Sequence, residues 1–216
     1  VANGARVLVR PGLYEEGIEL DRQVEIVGDG PREEIVVRST ASSCVRASAD
    51  GARVAGLTLH GAAAGDAAFF AVEVLRGNLL LEDCDISSDT LSCVAVHGPE
   101  AAPLIRRCLI HDGADSGLYF FDEAAGTVED CEVYHNANVG VAITGPAGPP
   151  PPRARIYRGG NAGVVAWQDG TGLLEECEIY GNRLAGLGVS EGATMTARAC
   201  RFRHGQNFSV FVHHEG

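Results

Sequence analysis

The chain has 216 residues, a net charge of −12, 17 arginines with no lysine, and 28 glycines. No run of about 18 apolar residues is present to span a membrane. The acidic balance argues against nucleic acid or an anionic membrane as partner, and the absence of lysine removes one common catalytic base.

Taken in chain order, short period-2 pairs of apolar residues recur. Val7/Val9, Ile18/Leu20 and Val24/Ile26 read as the three strands of a first, irregular coil over residues 1–34. Ile35/Val37 with Val45/Ala47, then Leu57/Leu59 with Val72/Val74, continue the pattern, and the segment Gly61 to Ala68 is surplus and reads as a loop bulging from one corner. From there the register is strict. Cys84, Cys108, Cys131, Ala154, Cys177 and Cys200 form one ladder at steps of 24, 23, 23, 23 and 23. Two residues after each rung comes Ile86, Ile110, Val133, Ile156, Ile179 or Phe202, and nine after it a small residue such as Gly117, Gly140, Gly163 or Gly186. An apolar pair follows: Val94/Val96, Leu118/Phe120, Val141/Ile143, Val164/Ala166, Leu187/Val189 and Val210/Val212. Leu81, Val128 and Leu174 mark a third strand per coil.

A fixed period in the low twenties is the signature of a solenoid. Leucine-rich repeats share the period but need several leucines at fixed spacing, whereas β-branched residues in short alternating runs favour strands. The chain is therefore expected to be all-β: a right-handed, single-stranded parallel β-helix of about nine coils of ~23 residues, roughly 40 Å long. It reads as one domain over 1–216, with regular coils from 35 onward. Both ends look cut, so the sequence reads as a piece of a longer protein. Charges beside the rung alternate along the stack (Asp83, Arg107, Asp130, Arg153 before it; Glu132, Arg155, Glu178, Arg201 after it), as an in-register stack requires.

The residues at 6–17 (RVLVRPGLYEEG) and 24–30 (VEIVGDG) resemble the first coil of pectinesterase-like and NosD-like β-helix proteins. Those at 105–113 (IRRCLIHDG), 117–122 (GLYFFD), 128–136 (VEDCEVYHN) and 174–182 (LEECEIYGN) resemble the repeats of F-box only substrate receptors, a repeat type shared by carbohydrate-binding proteins and sugar hydrolases. The resemblance covers the whole chain and implies the fold and the repeat subtype. It leaves function open, because such repeats host many activities. The chain holds no F-box, so a ligase role does not carry over.

The seven cysteines are odd in number and the five on the rung point inward as one column, without CxxC or HxxxH spacing, so they read as buried apolar thiols rather than disulfides or metal ligands. Unpaired thiols suit a reducing, cytoplasmic compartment. Pectinesterase chemistry lacks its aromatic and arginine context around Asp89, Asp122 and Asp169. Asp112, Asp115, Asp122 and Glu123 lie in adjacent turns and would form an acidic cluster, with calcium as cofactor only if the chain were a lyase-type enzyme. His60, His111, His135 and His204 recur after the rung, with Tyr180 and Arg158 in related places. His135 and Asn136, with Asn182 and Asn207, read as corner residues, asparagine taking the left-handed backbone there. Four prolines at 149–152 read as a stiff surface plug.

The outward positions of the second strand are the unusual ones. Tyr119, Phe121, Val165, Trp167 and Phe211 stand where a solvated strand should be polar, with His97, Thr144, Gln168, Asp169 and His213 beside them. Such a stripe marks a surface for a protein or a polysaccharide, unless another segment covers it. The first expectation is a non-catalytic scaffold binding through Tyr119, Phe121, Val165, Trp167, Gln168, Phe211 and His213. The alternative is a carbohydrate-active enzyme, a lyase, hydrolase or epimerase, using Asp122, Asp169, His97 and Asp112. A rigid spacer with no ligand is the third option. No cofactor and no metal are expected for a scaffold.

Overall fold

In a computed structural model, residues 2–146, 153–203, 205 and 207–213 are described. Val1, the segment 147–152 with its prolines, His204, Gln206 and residues 214–216 lie outside that set. The strands stack in parallel into three long sheets. Sheet A has six strands, from Ala5–Val9 to Thr127–Glu129; sheet B has nine, from Gly12–Tyr14 to Arg201–Arg203; sheet C has nine, from Ile18–Leu20 to Phe208–Val212. Thr171–Glu175 and Thr194–Arg198 pair with each other. A 310 turn, Arg32–Glu34, is the one helical element among the described residues.

Register follows the 23-residue period. Ile86 pairs with Ile110, and the column continues through Val133, Ile156 and Ile179 to Phe202. Together with Leu81, Ile105 and Phe120, the column from Ile86 to Ile179 is buried in one continuous core, with Phe202 partly buried against it. Leu57, Ile86, Ile110, Ile143 and Ile156 are wholly buried. The surplus loop emerges where expected, with residues 63–68 exposed.

The first coil departs from the expected reading. Val7 pairs with Ile26, so Val24–Gly28 opens the second coil instead of closing the first. The middle strand of the first coil is Gly12–Tyr14. Its alternation is inverted, with Leu13 outward and 60% exposed, so the apolar signal pointed to the wrong segment.

The cysteine rung sits at the corner just ahead of each sheet B strand. Each thiol donates to the carbonyl two residues back, from Cys84 to Glu82 at 3.2 Å through Cys200 to Arg198 at 3.3 Å. No disulfide joins any of the described cysteines. Burial pushes the Cys44 and Cys177 thiols up to about 11, which keeps them protonated and inert.

The residue before each rung is left-handed: Asp83, Arg107, Asp130, Arg153, Glu176 and Ala199 have φ of 52–57°, and Gly56 has the same role at 68°. A left-handed conformation costs a non-glycine residue about 1–2 kcal/mol. At five of these corners a charged side chain is used outside. Arg107 meets Asp83 at 2.8 Å and Arg153 meets Asp130 at 3.1 Å. Ala199 is exposed and makes no such pair, so Ala199→Gly is expected to stabilise the fold by about 1 kcal/mol, read as a higher midpoint in thermal unfolding.

The second left-handed corner corrects the asparagine assignment. Asp112, His135, Arg158 and Gly181 carry the positive φ there. Asn136 and Asn182 are the next residues and turn inward, each only 1% exposed. Asn207 occupies a different position, bonding through its backbone to Leu184.

Candidate functional site

Sheet C presents its alternate side chains outward in two columns. One column runs Glu19, Arg46, Glu73, Ala95, Tyr119, Ala142, Val165, Gly188, Phe211. From Ala95 onward small and large residues alternate coil by coil. The second column brings His97, Phe121, Thr144 and Trp167 into line.

The large residues lean over the small ones. The Tyr119 and Phe121 rings stack at 4.5 Å, Phe121 and His97 at 4.7 Å, and Tyr119 and Trp167, two coils apart, at 6.3 Å. Tyr119 and Trp167 thereby roof Ala142, which is 3% exposed although it points outward. At Gly188 no such roof forms. Val165 on one side and Phe208 with Phe211 on the other leave an open groove of about 310 Å³, edged by Asn161, Leu184, Ser190 and Asn207. Phe208 and Phe211 stack at 5.6 Å and stay 56% and 43% exposed.

Polar groups border the cluster. His97 Nε2 lies 3.1 Å from Glu73 Oε1, and Arg46 donates to Glu73 at 2.9 Å. Thr144 donates to the Gln168 side-chain oxygen at 2.9 Å. Burial raises the Tyr119 phenol, so that ring is held neutral as a stacking surface.

The expected binding residues thus fall into two groups. Tyr119, Phe121 and Trp167 form one cluster with His97. Phe211 and His213, stacked at 6.1 Å, belong to the far side of the groove, and Val165 joins the two. Gln168 is a left-handed corner residue (φ 51°), as are Asp122 (53°) and Asp169 (62°). Asp112 lies on the opposite side, within the end of the sheet B strand Leu109–Gly113. The expected acidic cluster does not form. Asp112 bonds His111, Asp115 bonds Ser92 and Asn138, and Asp122 and Glu123 turn the corner after sheet C. Among the described residues no three His, Cys, Asp or Glu side chains are placed to hold a metal ion. Nor is any described helix long and apolar enough to cross a membrane. Glu73, Phe208 and the Gly188 floor escaped the sequence reading; the alternation Ala95, Tyr119, Ala142, Val165, Gly188, Phe211 carried that signal.

The family model for the right-handed β-helix region matches residues 43–149 and 152–216. The chain belongs to the right-handed β-helix family. Solved β-helices of the same architecture include the mannuronan C-5 epimerase AlgE6 A-module of Azotobacter vinelandii, with a TM-score of 0.76 at 16% identity over 97% of this chain and 64% of that one. Pectate lyase Pel9A aligns with a TM-score of 0.70 at 11% identity over 91% of this chain and 62% of that one. Pectin methylesterase from carrot gives 0.52 at 13% identity, over 96% and 73%. The chain therefore spans less than two thirds of the first two proteins, and likeness at these identities establishes the fold alone.

The β-helix carries a second outward aromatic column, on sheet B, of which the sequence reading had noted only His111 and Tyr180, as recurring after the rung. His111, Tyr134, Tyr157 and Tyr180 stack at 4.8, 5.2 and 4.9 Å. The 23-residue spacing of the tyrosines was its signal. Tyr157 donates to Glu132 at 2.9 Å; burial first, then that bond, pushes its phenol up to about 12. His111 is held at both ring nitrogens, by Asp85 at 2.8 Å and Asp112 at 2.7 Å. The bond to Asp85 raises its pKa; burial opposes the rise, and Asp112 reinforces it. A raised folded value means that the protonated ring stabilises the fold fully below the ordinary 6.5, and that this contribution is lost as pH climbs through the folded value. Denaturant titrations across neutral pH should show that loss in the parent, and His111→Gln should flatten it.

Proposed function

We propose that this β-helix binds a polysaccharide chain along the outer face of sheet C, through Tyr119, Phe121 and Trp167 and onward into the groove floored by Gly188. The observation that carries this reading is the stacked aromatic cluster at outward positions, continuous with an open apolar groove. Rings of this kind stack on sugar faces at little entropic cost. His97, Glu73, Thr144 and Gln168 border the rings and supply hydrogen-bonding groups for hydroxyls. The names of the structural neighbours, an epimerase of mannuronan and enzymes of pectate and pectin, support a saccharide ahead of a protein as the ligand.

Trp167 is the single tryptophan, so its fluorescence reports on the face directly. Titration with a panel of acidic and neutral polysaccharides should give saturable quenching by at least one. Trp167→Ala and Phe121→Ala should each weaken that binding, followed calorimetrically, by about tenfold or more. Unchanged affinity in both variants, with the fold intact, would remove the reading. Capture of a protein through the same face, with no sugar bound, would replace it.

A second reading, turnover of the bound saccharide, is favoured by the His97–Glu73 pair at the edge of the cluster. A histidine with a carboxylate on one ring nitrogen is equipped for proton transfer. In that case His97→Gln would abolish product formation while weakening binding far less than Trp167→Ala does.

A further inference from the structure

On sheet B, away from the aromatic face, three side chains meet in an order that neither the repeat nor the core requires. His60 lies on Thr58–Gly61 and Ser87 on the next strand, Asp85–Ser88, and the parallel register sets them side by side on the outer surface. The Ser87 hydroxyl is 2.9 Å from His60 Nδ1, and His60 Nε2 is 3.4 Å from Asp89 Oδ2. The Ala63 backbone N–H also donates to Asp89 Oδ2, at 3.3 Å, which fixes the carboxylate from the other side. With the ring proton on Nε2, the nitrogen nearer the Asp89 carboxylate, the Nδ1 lone pair is left for the hydroxyl. The serine is therefore in contact with a base, and the base with an orienting acid. A second feature singles out the same place. Between Ile86 and Ser88 the register with the next strand shifts, so that His111 and Asp112 oppose the single Ser87. Such bulges re-aim side chains and occur beside active sites.

We propose that Ser87, His60 and Asp89 form an acyl-transfer site that hydrolyses a small acyl ester carried on a saccharide. Ser87 Oγ attacks the ester carbonyl carbon while His60 Nδ1 takes the hydroxyl proton. The bond from the acyl carbon to the sugar oxygen breaks, that oxygen receives the proton from His60, and acyl-Ser87 remains. Water then attacks the acyl carbon, His60 takes its proton and returns it to Ser87 Oγ, and the carboxylic acid leaves. Each step conserves electrons and needs only water as co-reactant. Asp89 acts as a positioning residue, setting the tautomer of His60. A small acyl group suits the site because the neighbouring coils stand only about 4.8 Å to either side. A saccharide suits it as carrier because the ring column from His111 to Tyr180 runs down the same face from this point and offers stacking surfaces.

The test is incubation of the intact chain with a fluorophosphonate, location of the adduct by peptide mass spectrometry, and hydrolysis of p-nitrophenyl acetate in parallel. The expected result is an adduct at Ser87 whose rate of formation drops about 100-fold or more in His60→Gln, with ester hydrolysis in the parent well above that in Ser87→Ala. Asp89→Asn should keep the adduct but lower kcat for p-nitrophenyl acetate at unchanged KM, and Asp89→Glu should restore part of it, a split that a merely structural role would not produce. No adduct at Ser87 in the parent, or an adduct forming equally fast in a folded His60→Gln chain, would overturn the proposal. The parent alone decides the first point, so a variant that fails to fold does not shelter it.

Discussion

Replacing Glu82 with alanine is expected to cost about 2 kcal/mol of stability. Its side chain is 4% exposed, yet it receives three guanidinium groups: Arg53 and Arg106 at 2.7 Å and Arg107 at 2.6 Å. Three coils converge on one carboxylate, because its neighbours in register on either side are Ala55 and Arg106. Removing it takes away the carboxylate that Arg106 meets, while Arg53 keeps Glu25 and Arg107 keeps Asp83. That penalty exceeds the few tenths of a kcal/mol expected of exposed pairs such as Arg201–Glu178. Glu82→Gln, which keeps the shape, should cost less, and urea midpoints for the two variants would separate charge from packing. The same residue sets an acid limit. Burial pushes the Glu82 carboxyl up, but the bonds from Arg53, Arg106 and Arg107 outweigh it and leave the group below its ordinary 4.5. A lowered folded value contributes stability above 4.5 that is lost as pH falls through the folded value, so the acid limb of the parent should be steeper than that of Glu82→Gln.

What was legible in the sequence, and what was not, follows from how the repeat constrains the residues. The inward columns are fixed by one local requirement, an apolar side chain at the same point of every coil, so Cys84 through Cys200 and Ile86 through Phe202 gave the period and the register directly. The outward stripe on sheet C was legible for the complementary reason: Tyr119, Phe121 and Trp167 break a rule that solvated strands obey. Its polar partner was harder to see, because Glu73 belongs to a coil before the regular spacing begins. The Ser87–His60 contact was hidden by the loop after Gly61, which stretches that step to 27 residues and takes it out of phase. The left-handed corners were invisible to propensity. Asp, Arg, Glu and Ala fill the position before the rung, and only stacking between coils imposes its conformation.

The corner after sheet B shows the same limit in a form that can be measured. Its inward position runs Gly113, Asn136, Gly159, Asn182, Gly205, a period of two coils. Asn136 accepts the Gly113 N–H at 2.9 Å and the Cys93 thiol at 3.6 Å, and donates to the Ile110 carbonyl at 3.4 Å. Asn182 repeats this with Gly159 at 2.9 Å and Ile156 at 3.4 Å. Each amide reaches back into the coil before it, and it occupies the space that a side chain there would need. A Cβ on Gly113 would lie 2.9 Å from Asn136 Oδ1 and 2.8 Å from the Ser116 carbonyl. Asn136→Ala is therefore expected to cost about 3 kcal/mol, from an orphaned buried N–H, an orphaned carbonyl and a small void, read as a shift of the urea midpoint at constant m. Asn182→Ala should cost the same, and the two should add, since they lie about 10 Å apart and share no partner. Gly113→Ala alone should also destabilise, by overpacking. Combined with Asn136→Ala, its new methyl group enters the space the amide vacated, so the double variant should be more stable than the sum of the two losses. A strictly additive result would mean that the Ser116 carbonyl, rather than the asparagine amide, is what keeps Gly113 a glycine.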